Sequence, residues 1–377
     1  MLPSASWLGL SYFTYFFSFG IFLPFWSLWL KGEHVSPESI GILLGIGMIS
    51  RFIGSLLIAP AVKRTSKLII AIRLISLLAL FFSIAFAFCN SWSSLLVVIA
   101  GFSLFYGPLI PLTDSLAAIW QRQVGLDYGK VRLWGSIAFV IGSAVTGEAV
   151  NIFGHKAIIY SLWAALISML LGMMLRPHNM PEDVLQENTE QHSTTWRKLL
   201  TESSVWRFLL CASLQQGAHA AYYGFSTIYW QEAGYTASIV GYLWALGVVA
   251  EIFIFAFSKS LLSHVSVSRL LLISCVCAVI RWILMGSTTA LPLLIMMQLL
   301  HAGSFTVCHL AAMRFIAARQ GPDVIRLQAV YSALGMGGSV AIMTMVSGFL
   351  FKHYHGDIFY VMALVVLPVF FFRIKIK

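Results

Sequence analysis

The chain has 377 residues, of which 59% are hydrophobic and only 10% are charged, and its mean hydropathy is +0.86. A soluble domain of this size carries roughly a quarter charged residues, because its surface has to be wetted. The composition therefore excludes a water-soluble enzyme or binding module. The net charge of +10 does not indicate a nucleic-acid partner, because the basic residues stand singly or in threes at the ends of apolar runs.

Apolar runs follow one another along almost the whole chain. A helix needs about 20 apolar residues to cross the hydrocarbon layer, and only a helix satisfies its own backbone hydrogen bonds there. The runs fall at 7–30, 39–60, 68–88, 92–118, 133–153, 156–175, 206–230, 237–257, 269–287, 291–316, 327–350 and 356–373. The first run lacks a preceding basic region, so we interpret it as a span and not as a cleaved signal. We predict an all-α integral membrane protein of twelve transmembrane helices.

A long polar stretch at 176–205 divides the chain almost in half. It predicts an N-terminal six-helix bundle at 1–175, a cytoplasmic linker at 176–205 and a C-terminal six-helix bundle at 206–377. The halves also resemble each other, because Arg122-Gln123 follows the fourth span and Arg319-Gln320 follows the tenth. Parallel six-helix repeats are a recurring transporter design.

The basic residues predict the orientation. With the N-terminus in the cytoplasm, nineteen of the 24 basic residues lie in or beside cytoplasmic loops and tails. Lys31, Lys156 and Lys352 would lie outside, and Arg51 and Arg281 fall within spans. Because basic residues are retained on the cytoplasmic side, both termini are predicted to be cytoplasmic.

Small residues are concentrated on four of the predicted spans. Glycines mark spans 2, 5, 8 and 11, namely Gly41, Gly45, Gly47, Gly135, Gly142, Gly241, Gly247, Gly335, Gly337 and Gly338. They either allow close helix approach at a seam between bundles or reflect the abundance of glycine in membrane helices generally. The five cysteines lie in apolar segments and are interpreted as packing residues, so no metal site and no cofactor are expected.

Charges at membrane depth are costly and by default mark a transport pathway. Asp114 in span 4 and Arg132 at the start of span 5 are predicted to form one ion pair, and Glu251 and Arg281 in spans 8 and 9 a second. The alternative is that both pairs only fix packing. For Arg51, which can snorkel or pack on the seam, the structural interpretation is favoured.

Further polar and aromatic side chains accompany these charges. Glu148 is placed near the outer surface, where a structural interpretation is again favoured. His301 lies one turn from Gln298 on a polar face of span 10. Aromatic side chains either line a cavity or face lipid, and the candidates are Trp134 and Phe139 in span 5 and Tyr222, Tyr223, Tyr229 and Trp230 in span 7.

Three segments resemble the lactose-permease-like branch of the major facilitator superfamily. Asp127-Tyr128-Gly129-Lys130-Val131-Arg132-Leu133-Trp134-Gly135-Ser136 resembles the start of its helix 5. Gly241-Tyr242-Leu243-Trp244-Ala245-Leu246-Gly247 with Glu251 resembles its helix 8, and 298–314 resembles its helix 10. With the twelve-span layout, the resemblance covers essentially the whole chain and implies the major facilitator fold in a bacterial inner membrane.

The resemblance also implies roles for single residues. Arg132 matches the substrate-binding arginine, Asp114 its carboxylate partner, and Phe139 stands in place of the tryptophan on which sugar stacks. Glu251 matches the carboxylate that couples sugar to proton. Arg281 and His301 match the arginine and histidine beside that carboxylate.

Departures from the family pattern weaken the case for a sugar. Ser304 stands where that branch has its proton-carrying glutamate, and Gln298 where it has a lysine. The shorter Asp114 replaces a glutamate, and the loop after span 2 has Lys63, Arg64 and Lys67 without the family's acidic residue. Proton coupling therefore does not transfer intact, and we assign the transported proton to Glu251.

The resemblance implies a secondary active, proton-coupled uptake transporter working by alternating access on an aromatic monocarboxylate such as 3-phenylpropionate. Predicted substrate-binding residues are Asp114, Arg132, Trp134, Phe139, Gln298 and His301, and predicted proton-coupling residues are Glu251, Arg281 and His301. The expected partners are the small-molecule substrate, a proton and the lipid bilayer, with no nucleic acid, and a monomer is expected. A neutral glycoside or nucleoside remains an alternative substrate. A membrane-embedded enzyme or sensor is the alternative of another class.

Overall fold

The computed structural model describes residues 1–182, 196–319 and 322–372. Apart from one isolated bridge between Leu2 and Pro177, the regular structure of these residues is helical. The α-helices are α1 Ser4–Gly32, α2 Pro37–Ala61, α3 Leu68–Ala85, α4 Trp92–Tyr106, α5 Leu109–Val124, α6 Tyr128–Phe153, α7 Lys156–Met174, α8 Trp196–Thr201, α9 Ser203–Gly217, α10 Ala220–Glu232, α11 Ala237–Leu262, α12 Val267–Ser287, α13 Leu291–His301, α14 Val307–Ala317, α15 Pro322–Val330, α16 Ser339–Tyr354 and α17 Ile358–Val366. The predicted all-α membrane fold is confirmed.

The described residues contain ten helical segments long and apolar enough to cross a membrane. The difference from twelve predicted spans has two local causes. Span 7 is divided into α9 and α10, each shorter than a full crossing, and the segment Arg326–Phe370 of 45 residues contains two predicted spans. The reversal between these two lies at His355, whose φ of 45° ends α16.

Several spans are interrupted where the sequence disfavours a regular helix. Span 4 breaks between α4 and α5 at Gly107 and Pro108, because proline has no N–H to donate to the preceding turn. Two π-helical segments, Ala302–Thr306 between α13 and α14 and Tyr331–Gly338 between α15 and α16, interrupt spans 10 and 11. π-Helical turns are rare, and they occur frequently at functional sites.

The described residues divide into two compact units. The first unit comprises Met1–Val35, the described part of Ile46–Gln186, and Tyr235–Ala245. The second comprises Ser36–Gly45 and the described parts of Glu187–Gly234 and Leu246–Lys377. The predicted boundaries at 175 and 206 stay a prediction, and residues 183–195 of the linker lie outside the described residues.

Glycine permits close helix contact within each unit. In the second unit, a Cβ on Gly41 of α2 would lie 2.7 Å from Cα of Gly348 in α16. In the first unit, a Cβ on Gly241 of α11 would lie 2.4 Å from the carbonyl oxygen of Ser143 in α6. Any side chain at these glycines would push the helices apart, so this packing requires glycine.

The outward faces of the helices are apolar. Large hydrophobic side chains remain exposed along α2, α3, α4, α7 and α17, among them Leu57, Phe81, Val97, Leu171 and Leu364. Exposed apolar surface on this scale does not occur on a soluble monomer, but it is expected where helices face lipid. The chain is therefore a multi-pass membrane protein.

Candidate functional site

An aromatic strip on α1 organises the polar side chains of the first unit. Tyr12, Tyr15, Phe16 and Phe19 are spaced three or four residues apart, so they share one face of the helix. Tyr12 and Tyr15 are buried, whereas Phe16 and Phe19 are half-buried. We call these four residues the α1 aromatic strip.

Asp114 of α5 accepts two hydrogen bonds from phenols. Tyr12 donates to Asp114 Oδ1 at 2.5 Å, and Tyr128 of α6 donates to the same oxygen at 3.3 Å. Hydrogen bonds to an ionised acceptor are stronger than neutral ones, so these phenols stabilise a carboxylate at this depth. Asp114 is therefore anchored to α1 and α6 through neutral donors.

Arg132 of α6 lies against the same strip. Its guanidinium carbon is 4.1 Å from the centre of the Phe16 ring and 5.4 Å from that of Tyr12. The structure corrects the predicted ion pair, because within the described residues no carboxylate lies within 4.0 Å of Arg132. Tyr12 stands between the two groups, donating to Asp114 while its ring faces Arg132, so a shared phenol replaces direct contact.

Arg51 of α2 also contacts the α1 aromatic strip, and we call Arg51, Asp114, Arg132 and the strip the first-unit cluster. Its Nη2 donates to the Tyr15 hydroxyl at 2.8 Å, and its guanidinium carbon lies 4.8 Å from the Phe19 ring centre. Favourable contact with an aromatic face partly compensates a cation for lost water. The sequence analysis favoured a structural role for Arg51, because nothing in the sequence of α2 shows that α1 presents a phenol to it.

The two predicted aromatic binding residues have different surroundings. Phe139 is 5% exposed and packs against Phe19 at 5.9 Å between ring centres, so it adjoins the α1 aromatic strip. Trp134 is 52% exposed, and its ring contacts Phe13 at 6.5 Å on another face of α1. The structure therefore brings Phe139, but not Trp134, next to the strip.

Glu251 and His301 lie at the centre of a group of polar side chains that also contains His219, Arg281, Gln298 and Ser304, which we call the second-unit cluster. His301 Nε2 of α13 lies 2.9 Å from Glu251 Oε1 of α11. Gly247 of α11 faces His301, since a Cβ there would lie 3.5 Å from His301 Cδ2, an ordinary van der Waals distance. His301 Nδ1 is buried and has no hydrogen-bond partner among the described residues. One imidazole nitrogen is thus held by the carboxylate, and the other is unsatisfied.

Arg281 of α12 is fully buried, but it does not contact Glu251 as predicted. Its Nη2 donates to Gln298 Oε1 at 3.2 Å, its Nη1 lies 3.5 Å from Ser304 Oγ, and its guanidinium carbon lies 4.3 Å from the Tyr222 ring centre. Gln298 in turn donates to the Tyr222 hydroxyl at 2.9 Å. His301 occupies the position beside Glu251, so the predicted Glu251–Arg281 ion pair is wrong and two neutral oxygens receive the guanidinium instead.

His219, which the sequence interpretation missed, is fully buried between α9 and α10. Its Nδ1 lies 2.9 Å from the carbonyl oxygen of Gln215, which can only accept, so Nδ1 carries the proton of the neutral ring. Nε2 lies 3.2 Å from Ser304 Oγ, whose single hydroxyl proton also has the His301 carbonyl oxygen as an acceptor at 3.1 Å. The available signal was a titratable residue, His219, inside the apolar run of span 7.

Each unit therefore encloses charged groups at membrane depth that are held by hydrogen bonds and aromatic faces. Such groups are costly in a bilayer and mark substrate or ion pathways. Such clusters inside a bundle of membrane-spanning helices are typical of a membrane transporter. The chain belongs to the MFS_1 like family, whose model matches residues 5–362.

Comparison with curated proteins supports the same class. The chain is 57% identical over 376 residues to the "Probable 3-phenylpropionic acid transporter" of Escherichia coli strain K12, a match covering 100% of this chain and 99% of that protein. It is 26% identical over 353 residues to the maltose permease of Geobacillus stearothermophilus, covering 92% and 87% of the two chains. The protein is a transporter of a small molecule and not an enzyme.

Comparison with solved structures supports the fold. The nucleoside transporter NupG superimposes with a TM-score of 0.77 at 17% sequence identity, and the match covers 98% of each chain. An auto-inhibited peptide transporter of the POT family gives a TM-score of 0.72 at 12% identity, covering 98% of this chain and 95% of that one. The family resemblance and the predicted fold class are confirmed.

Proposed function

We propose that this protein is a proton-coupled uptake transporter for an aromatic monocarboxylate such as 3-phenylpropionate, working by alternating access. The relative that shares 57% identity along its full length carries that substrate in its name. The single observation that carries the proposal is Arg132, a guanidinium on aromatic faces with no carboxylate within 4.0 Å in the described chain. An anionic ligand with an aromatic ring complements both features.

The first-unit cluster supports binding of the anion. A guanidinium binds a carboxylate bidentately, and it gains most where water is excluded. The neighbouring rings of Phe16, Phe19 and Phe139 offer an apolar surface for a phenyl group. Asp114 is kept from neutralising Arg132 by its two phenol donors, so the guanidinium remains available to the substrate.

The second-unit cluster supports proton coupling. The Glu251 carboxylate accepts from His301, and His301 Nδ1 has an unsatisfied site for a proton in the described structure. A proton taken up by this pair is held on either the carboxylate or the imidazole, while Gln298 and Ser304 fix Arg281. Release follows when motion of the helices brings Arg281 to the carboxylate, because a nearby cation favours its ionised form.

The proposed location is the bacterial inner membrane, with both termini in the cytoplasm and the protein acting as a monomer. The excess of basic residues in one set of predicted loops supports this orientation. Reporter fusions within the linker and at the C-terminus should both report a cytoplasmic position. A periplasmic signal from either fusion would contradict the orientation.

The substrate class is tested with a radiolabelled panel. Cells that lack and cells that overproduce the protein are given 3-phenylpropionate, its amide, maltose and a nucleoside, with and without an uncoupler. We expect uptake of the carboxylate alone, and we expect its accumulation to stop when the proton gradient collapses. Preferential uptake of maltose or the nucleoside would favour a neutral substrate. Accumulation that survives the uncoupler would exclude proton coupling.

A further inference from the structure

Arg51 has the geometry of a binding group and not of a side chain that reaches for the membrane surface. It is half-buried in the middle of α2, and its Nη2 donates to the Tyr15 hydroxyl at 2.8 Å. Its guanidinium carbon lies 4.8 Å from the Phe19 ring centre and 5.9 Å from that of Tyr106. In the chain as described, no carboxylate lies within 4.0 Å of it.

The surroundings of Arg51 fix its position. The Tyr15 and Tyr106 rings stack at 4.7 Å, and the Tyr106 hydroxyl lies 2.7 Å from Ser18 Oγ. At the break after α4, Gly107 makes room for the arginine stem, because a Cβ there would lie 2.6 Å from Arg51 Cγ. The guanidinium is therefore oriented by packing and keeps donors that no described residue uses.

The two arginines of the first unit share the α1 aromatic strip. Arg132 lies over Tyr12 and Phe16, whereas Arg51 contacts Tyr15 and Phe19. Tyr15 and Phe19 lie three residues after Tyr12 and Phe16, respectively, which is a rise of about 4.5 Å along α1. The two guanidinium groups thus lie against neighbouring positions along one face of α1.

The charges of this cluster do not cancel. Arg51 and Arg132 contribute two formal positive charges, and ionised Asp114 contributes one negative charge. A neutral ligand would leave one positive charge uncompensated at membrane depth, which is unfavourable. A ligand with one negative charge restores neutrality. Arg132 and Asp114 alone have no net charge, so it is Arg51 that makes an anionic ligand necessary.

We propose that Arg51 is a second guanidinium that contacts the substrate carboxylate and makes the transporter select an anion over its neutral analogue. The proposal rests on the proposed function, because it assumes an aryl carboxylate at the first-unit cluster. Arg51 then discriminates between a negatively charged ligand and a neutral one. Phe16, Phe19 and Phe139 pack against the phenyl group of the ligand.

Binding to purified wild-type and variant protein in lipid nanodiscs tests the proposal without requiring transport. The probes are 3-phenylpropionate and 3-phenylpropionamide, which have similar shape but differ in charge. The variants are Arg51→Gln, Arg51→Lys and the control Arg73→Gln. Arg73 bonds the backbone carbonyls of Met173 and Leu175 in the same unit, so the control removes a structural arginine.

We expect Arg51→Gln to lower the preference for carboxylate over amide by about 10- to 100-fold, the size of a lost charge-assisted hydrogen bond. Arg51→Lys should keep most of the preference but bind both probes less tightly, because lysine retains the charge and loses the fork. Arg73→Gln should leave the preference unchanged. If Arg51→Gln does not fold, Arg51→Met, which keeps the apolar stem and removes the charge, provides the same comparison.

The outcomes separate the two proposals. Wild-type protein that prefers the carboxylate, together with an Arg51→Gln variant that keeps the same preference, would overturn the role of Arg51 and leave the proposed substrate intact. Wild-type protein that binds the amide as tightly as the carboxylate would overturn the substrate class itself, and the selectivity role of Arg51 with it.

Discussion

The two charged clusters use opposite arrangements of the same kinds of group. In the first unit the carboxylate of Asp114 is held by phenols, and Arg51 and Arg132 lie on aromatic faces without acidic neighbours in the described structure. In the second unit the carboxylate of Glu251 is paired with an imidazole, and Arg281 donates to an amide oxygen. In the mechanism that we propose, the first arrangement binds an anion and the second binds a proton.

The internal repeat makes this contrast sharper. Gly41, Gly47 and Arg51 of α2 lie 200 residues before Gly241, Gly247 and Glu251 of α11. His34 and Gly234, which have the same spacing, both have positive φ at the loop that leads into these helices. Equivalent helices therefore present opposite charges, an arginine on α2 and a carboxylate on α11.

Glu251→Gln should have the largest effect, because it removes the only carboxylate described in the second-unit cluster. We expect accumulation against a gradient to be abolished, so that inner and outer substrate concentrations equalise, while counterflow exchange continues. Active uptake and counterflow in proteoliposomes measure the two processes separately. Glu202→Gln, which removes a surface partner of Arg319, is the matched control. Wild-type accumulation by Glu251→Gln would exclude Glu251 as the proton carrier.

Arg132→Lys should weaken the first-unit cluster without affecting proton coupling. Lysine keeps the charge but cannot form a planar bidentate contact or stack on Phe16 in the same way, so we expect kcat/KM for the carboxylate to fall about 10- to 100-fold. The ratio of accumulation to counterflow should remain that of the wild type. Transport at the wild-type level would show that bidentate capture at Arg132 is wrong.

His219 is expected to act by holding Ser304, and two substitutions separate that role from proton transfer. His219→Gln places an amide near Nε2 but does not titrate, so it should transport almost as well as wild type. His219→Ala leaves the Ser304 hydroxyl and Arg281 without that support, and a lost buried hydrogen bond of about 1–3 kcal/mol predicts a decrease of about 5- to 100-fold. The measurement is kcat/KM across a pH series. A shifted pH profile for His219→Gln would instead make His219 a titrating group.

Tyr12→Phe should have the smallest effect, because it removes one hydroxyl and leaves the aromatic strip in place. Asp114 then loses its shortest hydrogen bond and is expected to turn toward Arg132. This neutralises the guanidinium of Arg132, and we expect carboxylate affinity to fall about 3- to 10-fold. Tyr128→Phe removes the longer bond and serves as the comparison. Equal affinity in wild type and Tyr12→Phe would contradict the view that phenols keep Asp114 from Arg132.

The fold followed from composition, because a chain so poor in charge and so regular in its apolar runs has few alternatives to membrane helices. Charged residues inside those runs were also evident, and they supplied Asp114, Arg132, Glu251 and Arg281. The contacts of these charged side chains were not evident, because they depend on a side chain from a third helix. Spacing relates Asp114 to Arg132, but Tyr12 reaches both from α1, and no local pattern encodes that. The same reason left Arg51 and His219 without a functional interpretation.

The π-helical segment at Ala302–Thr306 has a mechanical consequence. It accommodates one extra residue relative to α-helical winding, and each residue of an α-helix turns by about 100°. Rewinding this segment to a regular helix would therefore rotate α14 about its own axis relative to α13 without breaking either helix. His301 lies just before the segment and Ser304 within it. Such a rotation would move Ser304 relative to His219 while His301 stays beside Glu251. Span 10 can therefore change one of these two contacts without changing the other.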